Sequence, residues 1–334
     1  MSAVIIGIEG TMLLAQEAAL LHRPFCAGVI LFSRNYSSPA QLKRLCATIR
    51  AQRPDALICV DHEGGRVQRF RDGFTAIPAM GAFGRCFDRR PLLACELAEA
   101  AGVVIAYELR QFGIDFSFTP VLDLQDPASD VIGDRAFHAN PAVVVLLADA
   151  LRRGLRAVGM IAVGKHYPGH GRVVGDSHHT LPQDPRAADE REPDRYPFIR
   201  QIESGIEALM PAHIVFPHDH RPASFSPVHL AELRALGFDG AIISDDLDMA
   251  GALTITDPAK RIQATLDAGA DVTLMCNDFA AIRQVLTRRY FHRDADASAR
   301  RLAALRGQPF DAAALEPAYH AAQEKLRTHA AQLL

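Results

Sequence analysis

The sequence predicts a single-domain (β/α)8 TIM barrel with additional C-terminal helices, on three observations. Eight short aliphatic runs of strand length recur along the 334 residues, each followed by turn residues and then a longer helical pattern. Several of the runs are continuously apolar, as in parallel strands covered on both faces. The early loops lack the glycine-rich phosphate turn of a doubly wound sheet, which would also normally have fewer strands.

The runs are, in order, Val4 to Ile8, Val29 to Phe32, Leu57 to Val60, Asp115 to Phe118, Met160 to Val163, Ala208 to Met210, Gly240 to Ile243 and Asp271 to Met275. Helices between them open at Ser38-Pro39, Asn140-Pro141 and Ser226-Pro227, where a capping side chain precedes a proline fitted to the first helical position. Gly113 and Gly159 end two of the helices. From about residue 277 the strand pattern gives way to Ala- and Arg-rich helical sequence, Phe279 to Tyr290, Ala295 to Leu305 and Asp311 to Leu333. No linker interrupts the chain, so one domain is expected over 1–334, with the barrel to about 276 and helices from 277 to 334.

Composition narrows the function. Apolar residues at 49% and charged residues at 22% describe an ordinary globular chain, and 36 basic against 39 acidic residues leave no excess for nucleic acid or an anionic membrane. Six cysteines without CxxC spacing lie mostly in apolar stretches, as free buried thiols in a reducing compartment do. The N-terminus has no signal-peptide pattern and no 18-residue apolar run occurs, so a cytoplasmic enzyme, monomeric by default, acting on a small molecule is expected. The charged patch Ala187 to Arg195 reads as a solvated loop and helix start.

Polar residues gather after four strands. Asp61-His62-Glu63-Gly64-Gly65-Arg66-Val67-Gln68-Arg69 follows the third, and Asp123 and Gly133-Asp134-Arg135 follow the fourth. Lys165-His166-Tyr167-Pro168-Gly169-His170-Gly171 and Asp176-Ser177-His178-His179 follow the fifth, and Ser244-Asp245-Asp246-Leu247-Asp248-Met249 the seventh. In this fold the loops after the strands converge on one face, where sites are built. Any one cluster alone reads sooner as caps and turns; four together on that face point to a site.

Asp245 ends an apolar run, where a strand holds a carboxylate rigidly enough for nucleophilic work. Alternation along an extended strand sends Asp246 to the opposite side, leaving Asp246 and Asp248 for capping or orienting roles. In Asp176-x-His178, the carboxylate raises the basicity of the imidazole and fixes its tautomer, giving a tunable proton carrier on a glycine-rich loop. The alternative is a metal centre on His166, His170, His178, His179 and Asp176, although Pro168 and Gly169 forbid the helix that paired histidine ligands four apart normally use. Lys165, His166, Arg69 and Arg135 offer donors and Asp61 an acceptor, a mixture suited to sugar hydroxyls and amides, although arginines also commonly form surface ion pairs.

These motifs together resemble glycoside hydrolase family 3, and within it the β-N-acetylglucosaminidases of bacterial peptidoglycan recycling. The stretches 28–36, 115–124 and 131–138 add to the match, which spans roughly residues 5 to 276. The resemblance implies a barrel enzyme, with no cofactor and no metal, that removes terminal β-linked N-acetylglucosamine from anhydro-muropeptides with retention of configuration. It places the nucleophile at Asp245, the acid/base at His178 with Asp176 as its partner, and sugar contacts at Asp61, Arg69, Arg135, Lys165 and His166. Remaining rivals are a family 3 β-glucosidase, a hydrolase in which the substrate acetamide is the nucleophile, a metal-dependent hydrolase, and a silent sugar-binding protein.

Overall fold

A computed structural model describes residues 3–127, 129, 131–173, 175, 180–285, 291 and 295–333. Its centre is an eight-stranded parallel sheet: β1 (Val4–Gly7), β2 (Cys26–Leu31), β3 (Leu57–Val60), β4 (Phe116–Ser117), β5 (Val163–Tyr167), β6 (Ala208–Pro211), β7 (Ala241–Asp246) and β8 (Val272–Met275). Neighbours in sequence are neighbours in the sheet, and β1 returns to pair with β8 through Val4 and Thr273, Ile5 and Leu274, and Ile6 and Met275. Between β4 and β5 the closure falls to isolated bridges, Phe116 with Ile161 and Val121 with Lys165. Backbone hydrogen bonds from Val163 to Thr119, Lys165 to Pro120 and Leu122 to Lys165 complete that seam, at 2.9, 3.2 and 2.7 Å.

The strands are buried because helices cover their outer face, as the apolar runs require. These are α1 (Ala15–Leu21), α2 (Pro39–Gln52), α3 (Met80–Phe87), α4 (Pro91–Arg110), α5 (Pro141–Ala157), α6 (Glu192–Glu203), α7 (Pro227–Ala235) and α8 (Pro258–Asp267). Ser38, Asn140 and Ser226 cap α2, α5 and α7 as expected, accepting from the amides of Gln41, Ala142 and His229. Helices α9 (Phe279–Val285), α10 (Ala295–Ala304) and α11 (Ala312–Thr328) follow β8. Of these, α11 lies on α4, with the Tyr107 and Tyr319 rings stacked at 4.2 Å. All six cysteines are free, and all but Cys95 are buried.

The fifth strand is the one misplaced by sequence. The apolar run Met160 to Val163 is buried, yet the ladder with β6 begins at Val163 and Ala208 and continues through Lys165 and Met210 to Tyr167 and Pro211. Pairing, and not hydrophobicity alone, sets where a strand starts. Lys165 and His166 are therefore strand residues, held more rigidly than loop residues would be.

Helices α4 and α5 touch at backbone distance. A Cβ added at Gly154 would sit 2.0 Å from the Glu99 carbonyl oxygen, and one at Gly102 2.2 Å from that of Leu151. Gly154→Ala is therefore expected to destabilise the fold by about 1–3 kcal/mol, the usual cost of forcing extra volume into a packed contact. Urea denaturation checks this, with a lower midpoint at unchanged slope as the expected outcome.

Candidate active site

The strand ends open into a cavity of about 500 Å3 whose lining includes Asp61, Arg69, Arg135, Lys165, His166 and Asp245. Six of the eight residues singled out by sequence are thus brought together, while Asp176 and His178 lie outside the described residues. No group of three or more His, Cys, Asp or Glu among the described residues is placed to hold a metal ion.

Asp61 leaves β3 and leads into a short hairpin, His62–Gly64 paired with Val67–Gln68. Gly64 and Gly65 make its turn at φ of +112° and +54°, conformations that L side chains rarely adopt. Glu63, to which the sequence reading gave no role, is the centre of the charge network. Its carboxylate accepts from Arg135 Nε and Nη2 at 2.9 and 2.8 Å and meets Lys165 Nζ at 2.5 Å. Lys165 Nζ also donates to Asp61 Oδ1 at 2.8 Å, and Arg69 Nη2 lies 3.6 Å from Asp61 Oδ2.

Burial alone would raise the Glu63 carboxyl, but the Arg135 and Lys165 charges outweigh it and hold the group well below the usual carboxylate range. Asp61 is likewise held low by Lys165 and Arg69 against the effect of burial. Glu63 was legible in principle: Asp61 and Glu63 are two apart in extended chain, so both side chains share a face.

Asp123 is buried and grips the end of β5. It accepts from His166 Nδ1 at 2.7 Å and from the His170 amide at 2.7 Å. Burial would raise its carboxyl, but the His166 contact leads the effects that bring it below its ordinary value. A carboxylate at Nδ1 fixes the proton there and orients the ring. Asp123 thus fixes the ring of His166 through Nδ1 and the backbone, not the ring, of His170.

On the opposite wall, both Asp245 and Asp246 line the cavity, against the expectation from strict alternation. The reason is a register shift in β7 against β8 between Ile243 and Asp246. Their surroundings nonetheless differ. Asp246 accepts from the amides of Asp248 and Cys276 at 3.0 and 3.1 Å and from Asn277 Nδ2 at 3.1 Å. Burial and the neighbouring Asp248 charge raise its carboxyl to about 7. Asp248 accepts from the amides of Cys276, Asn277 and Asp278 at 3.0, 2.9 and 2.9 Å, the turn-holding role expected of it. Behind them, the buried His213 bridges Ser224 Oγ and the Asp246 carbonyl, at 2.5 and 2.9 Å.

The charged patch 187–195 is not merely solvated. Asp194 in α6 is buried and receives Arg172 Nη2 at 2.6 Å and Arg186 Nη1 at 3.0 Å. These two arginines bracket the stretch that carries the Asp176-x-His178 motif.

His62, packed between Phe70 and Phe74 with ring centroids at 5.7 and 5.6 Å, is lowered to about 3, first by burial and then by Arg71 and Arg69. A histidine depressed in the fold stays neutral there while the unfolded chain protonates near 6.5. Its stabilising contribution is therefore complete above that pH and lost as pH falls toward 3. Relative to His62→Phe, the wild type is expected to lose about 1.6 kcal/mol between pH 6.5 and 5, the slope approaching ~1.4 kcal/mol per pH unit once the unfolded imidazole is fully protonated. Paired urea titrations at the two pH values measure that difference.

Comparison with known proteins identifies the family. Residues 7–305 match the glycosyl hydrolase family 3 N-terminal domain. The β-hexosaminidase of Nitrosospira multiformis is 50% identical over 312 residues, covering 92% of this chain and 89% of that protein. The β-hexosaminidase of Pseudomonas aeruginosa is 48% identical over 288 residues, 85% of each chain. Among solved structures, NagZ from Neisseria gonorrhoeae in complex with N-trifluoroacetyl-D-glucosamine superposes with a TM-score of 0.90 at 40% identity, over 97% of this chain and 96% of that one. The chain belongs to glycosyl hydrolase family 3, and its activity is that of a β-N-acetylhexosaminidase.

Proposed function

We propose that the protein is a retaining exo-β-N-acetylglucosaminidase that releases terminal N-acetylglucosamine from anhydro-muropeptides in cell-wall recycling. The observation that carries this reading is the placement of the Asp245 carboxylate in the same cavity as the Asp61, Lys165, Glu63 and Arg135 network. One wall offers a nucleophile, the other a fixed set of donors and acceptors for hydroxyls and an amide.

In this mechanism an Asp245 oxygen attacks the anomeric carbon as the glycosidic C–O bond breaks, and protonated His178 donates its proton to the leaving oxygen. Water then attacks the glycosyl-enzyme, Asp245 leaves, and His178 takes the water's proton. Asp176 stabilises the imidazolium, while Asp61, Arg69, Arg135, Lys165 and His166 bind the sugar. The roles of Asp176 and His178 rest on the family motif. Action as a monomer in the cytoplasm is part of this reading, and the six free thiols support a reducing compartment.

Release of p-nitrophenol from its β-N-acetylglucosaminide, with a β-glucoside as control and EDTA as a second arm, tests the activity. A fluorinated sugar that slows the second step is expected to leave a covalent adduct on Asp245. An active, unlabelled enzyme would favour attack by the substrate acetamide, and loss of activity with EDTA would favour a metal site.

A further inference from the structure

Glu108 is a buried carboxylate in the apolar helix α4, and its hydrogen-bonding partners are neutral donors. It accepts from the Thr75 amide at 3.0 and 3.1 Å, from Thr75 Oγ1 at 2.5 Å and from Tyr319 Oη at 2.8 Å. Gln323 Nε2 closes the ring, donating to Thr75 Oγ1 at 2.7 Å and Tyr319 Oη at 2.6 Å. A buried carboxylate is retained in such a place when its acceptor capacity is filled. Burial raises its carboxyl in spite of these donors.

Thr75 belongs to the loop that begins at Asp61. Its carbonyl accepts from Gln68 Nε2 at 2.9 Å, and Gln68 Oε1 accepts from the Ile77 amide at 2.9 Å. Gln68 is the last residue of the hairpin and adjoins Arg69. The loop is therefore held at two ends, by the ion network in the cavity and by Glu108 with two residues of α11. Helix α11 starts at Ala312, past the end of the family match at residue 305.

We propose that Glu108, Tyr319 and Gln323 are positioning residues for substrate binding: through Thr75 and Gln68 they set the loop that presents Asp61 and Arg69 to the sugar. This rests on the reading above that Asp61 and Arg69 contact the sugar. Polar networks whose members are all satisfied fix one arrangement, and removing one member loosens the rest.

Tyr319→Phe and Glu108→Gln, each in the full chain, are expected to raise KM for p-nitrophenyl β-N-acetylglucosaminide about 5-fold at nearly constant kcat, the effect of one lost hydrogen bond. The double variant should show less than the product of the single effects, because both act through one carboxylate. Amide exchange at Thr75 and Ile77 should quicken in the variants. Lys325→Ala, which removes an exposed ion pair of the same helix with Glu96, is the control and should leave both readouts unchanged. A lower Tm with KM at the wild-type value, or unchanged exchange at Thr75, overturns the proposal. An inactive wild type would instead count against the hydrolase reading, and exchange at Thr75 and Ile77 would still decide whether α11 holds the loop.

Discussion

Asp245→Ala is expected to lower kcat on p-nitrophenyl β-N-acetylglucosaminide by on the order of 10^4-fold, the scale seen when one member of a nucleophilic constellation is removed. The variant deletes the group proposed to form the glycosyl-enzyme and leaves the Asp61, Glu63, Lys165 and Arg135 network untouched, so sugar binding should survive and KM should change far less than kcat. One structural cost is foreseeable: Asp245 Oδ1 accepts the Asp246 amide at 2.8 Å, and losing that bond costs about 1 kcal/mol. A Tm measurement beside the kinetics separates the two effects. Turnover within tenfold of wild type would remove Asp245 from the reaction and return the acetamide to candidacy.

The largest effect on stability is expected from Glu63→Ala, at about 3–5 kcal/mol by urea denaturation. The loss is not chiefly that of an attraction. Arg135 and Lys165 would remain in a buried site, the lysine side chain only 2% exposed, without the carboxylate that compensates both. Because the carboxyl is held below its unfolded value, its stabilisation is present above the usual glutamate range and lost as pH falls through the folded value. The gap between variant and wild type should therefore be full at pH 7 and shrink in acid. A difference under 1 kcal/mol at pH 7 would show that water already compensates the two cations.

Most of the barrel was legible because its strands are buried on both faces and so announce themselves as uninterrupted aliphatic runs. The β5 boundary was not, since Lys165, His166 and Tyr167 break the apolar pattern while completing the ladder to β6. Their polarity reads as loop until their partners are known: Asp61 and Glu63 after β3, Asp123 after β4 and Glu232 in α7. Within the site, the loop clusters together with the family resemblance pointed to Asp61, Arg69, Arg135, Lys165, His166 and Asp245, all of which line the cavity. They could not rank Glu63 above its neighbours, because what distinguishes Glu63 is the convergence of two cations distant in sequence, Lys165 of β5 and Arg135 of the turn after β4. For the same reason the alternation rule failed at Asp246: a register shift is a property of the pair of strands, not of either one alone. Thr75, Glu108 and Tyr319 gave no signal at all, being separated by tens to hundreds of residues and brought together only by the packing of α11 on α4.

The double grip of Asp194 on Arg172 and Arg186 has a meaning in polymer terms. Arg172 and Arg186 are both fixed to a single carboxylate on α6. Once two points of a chain are fixed, doubling the length between them costs only about 0.6 kcal/mol in closure entropy. The added length of an insertion between these two arginines is therefore expected to weigh little on the stability of the barrel.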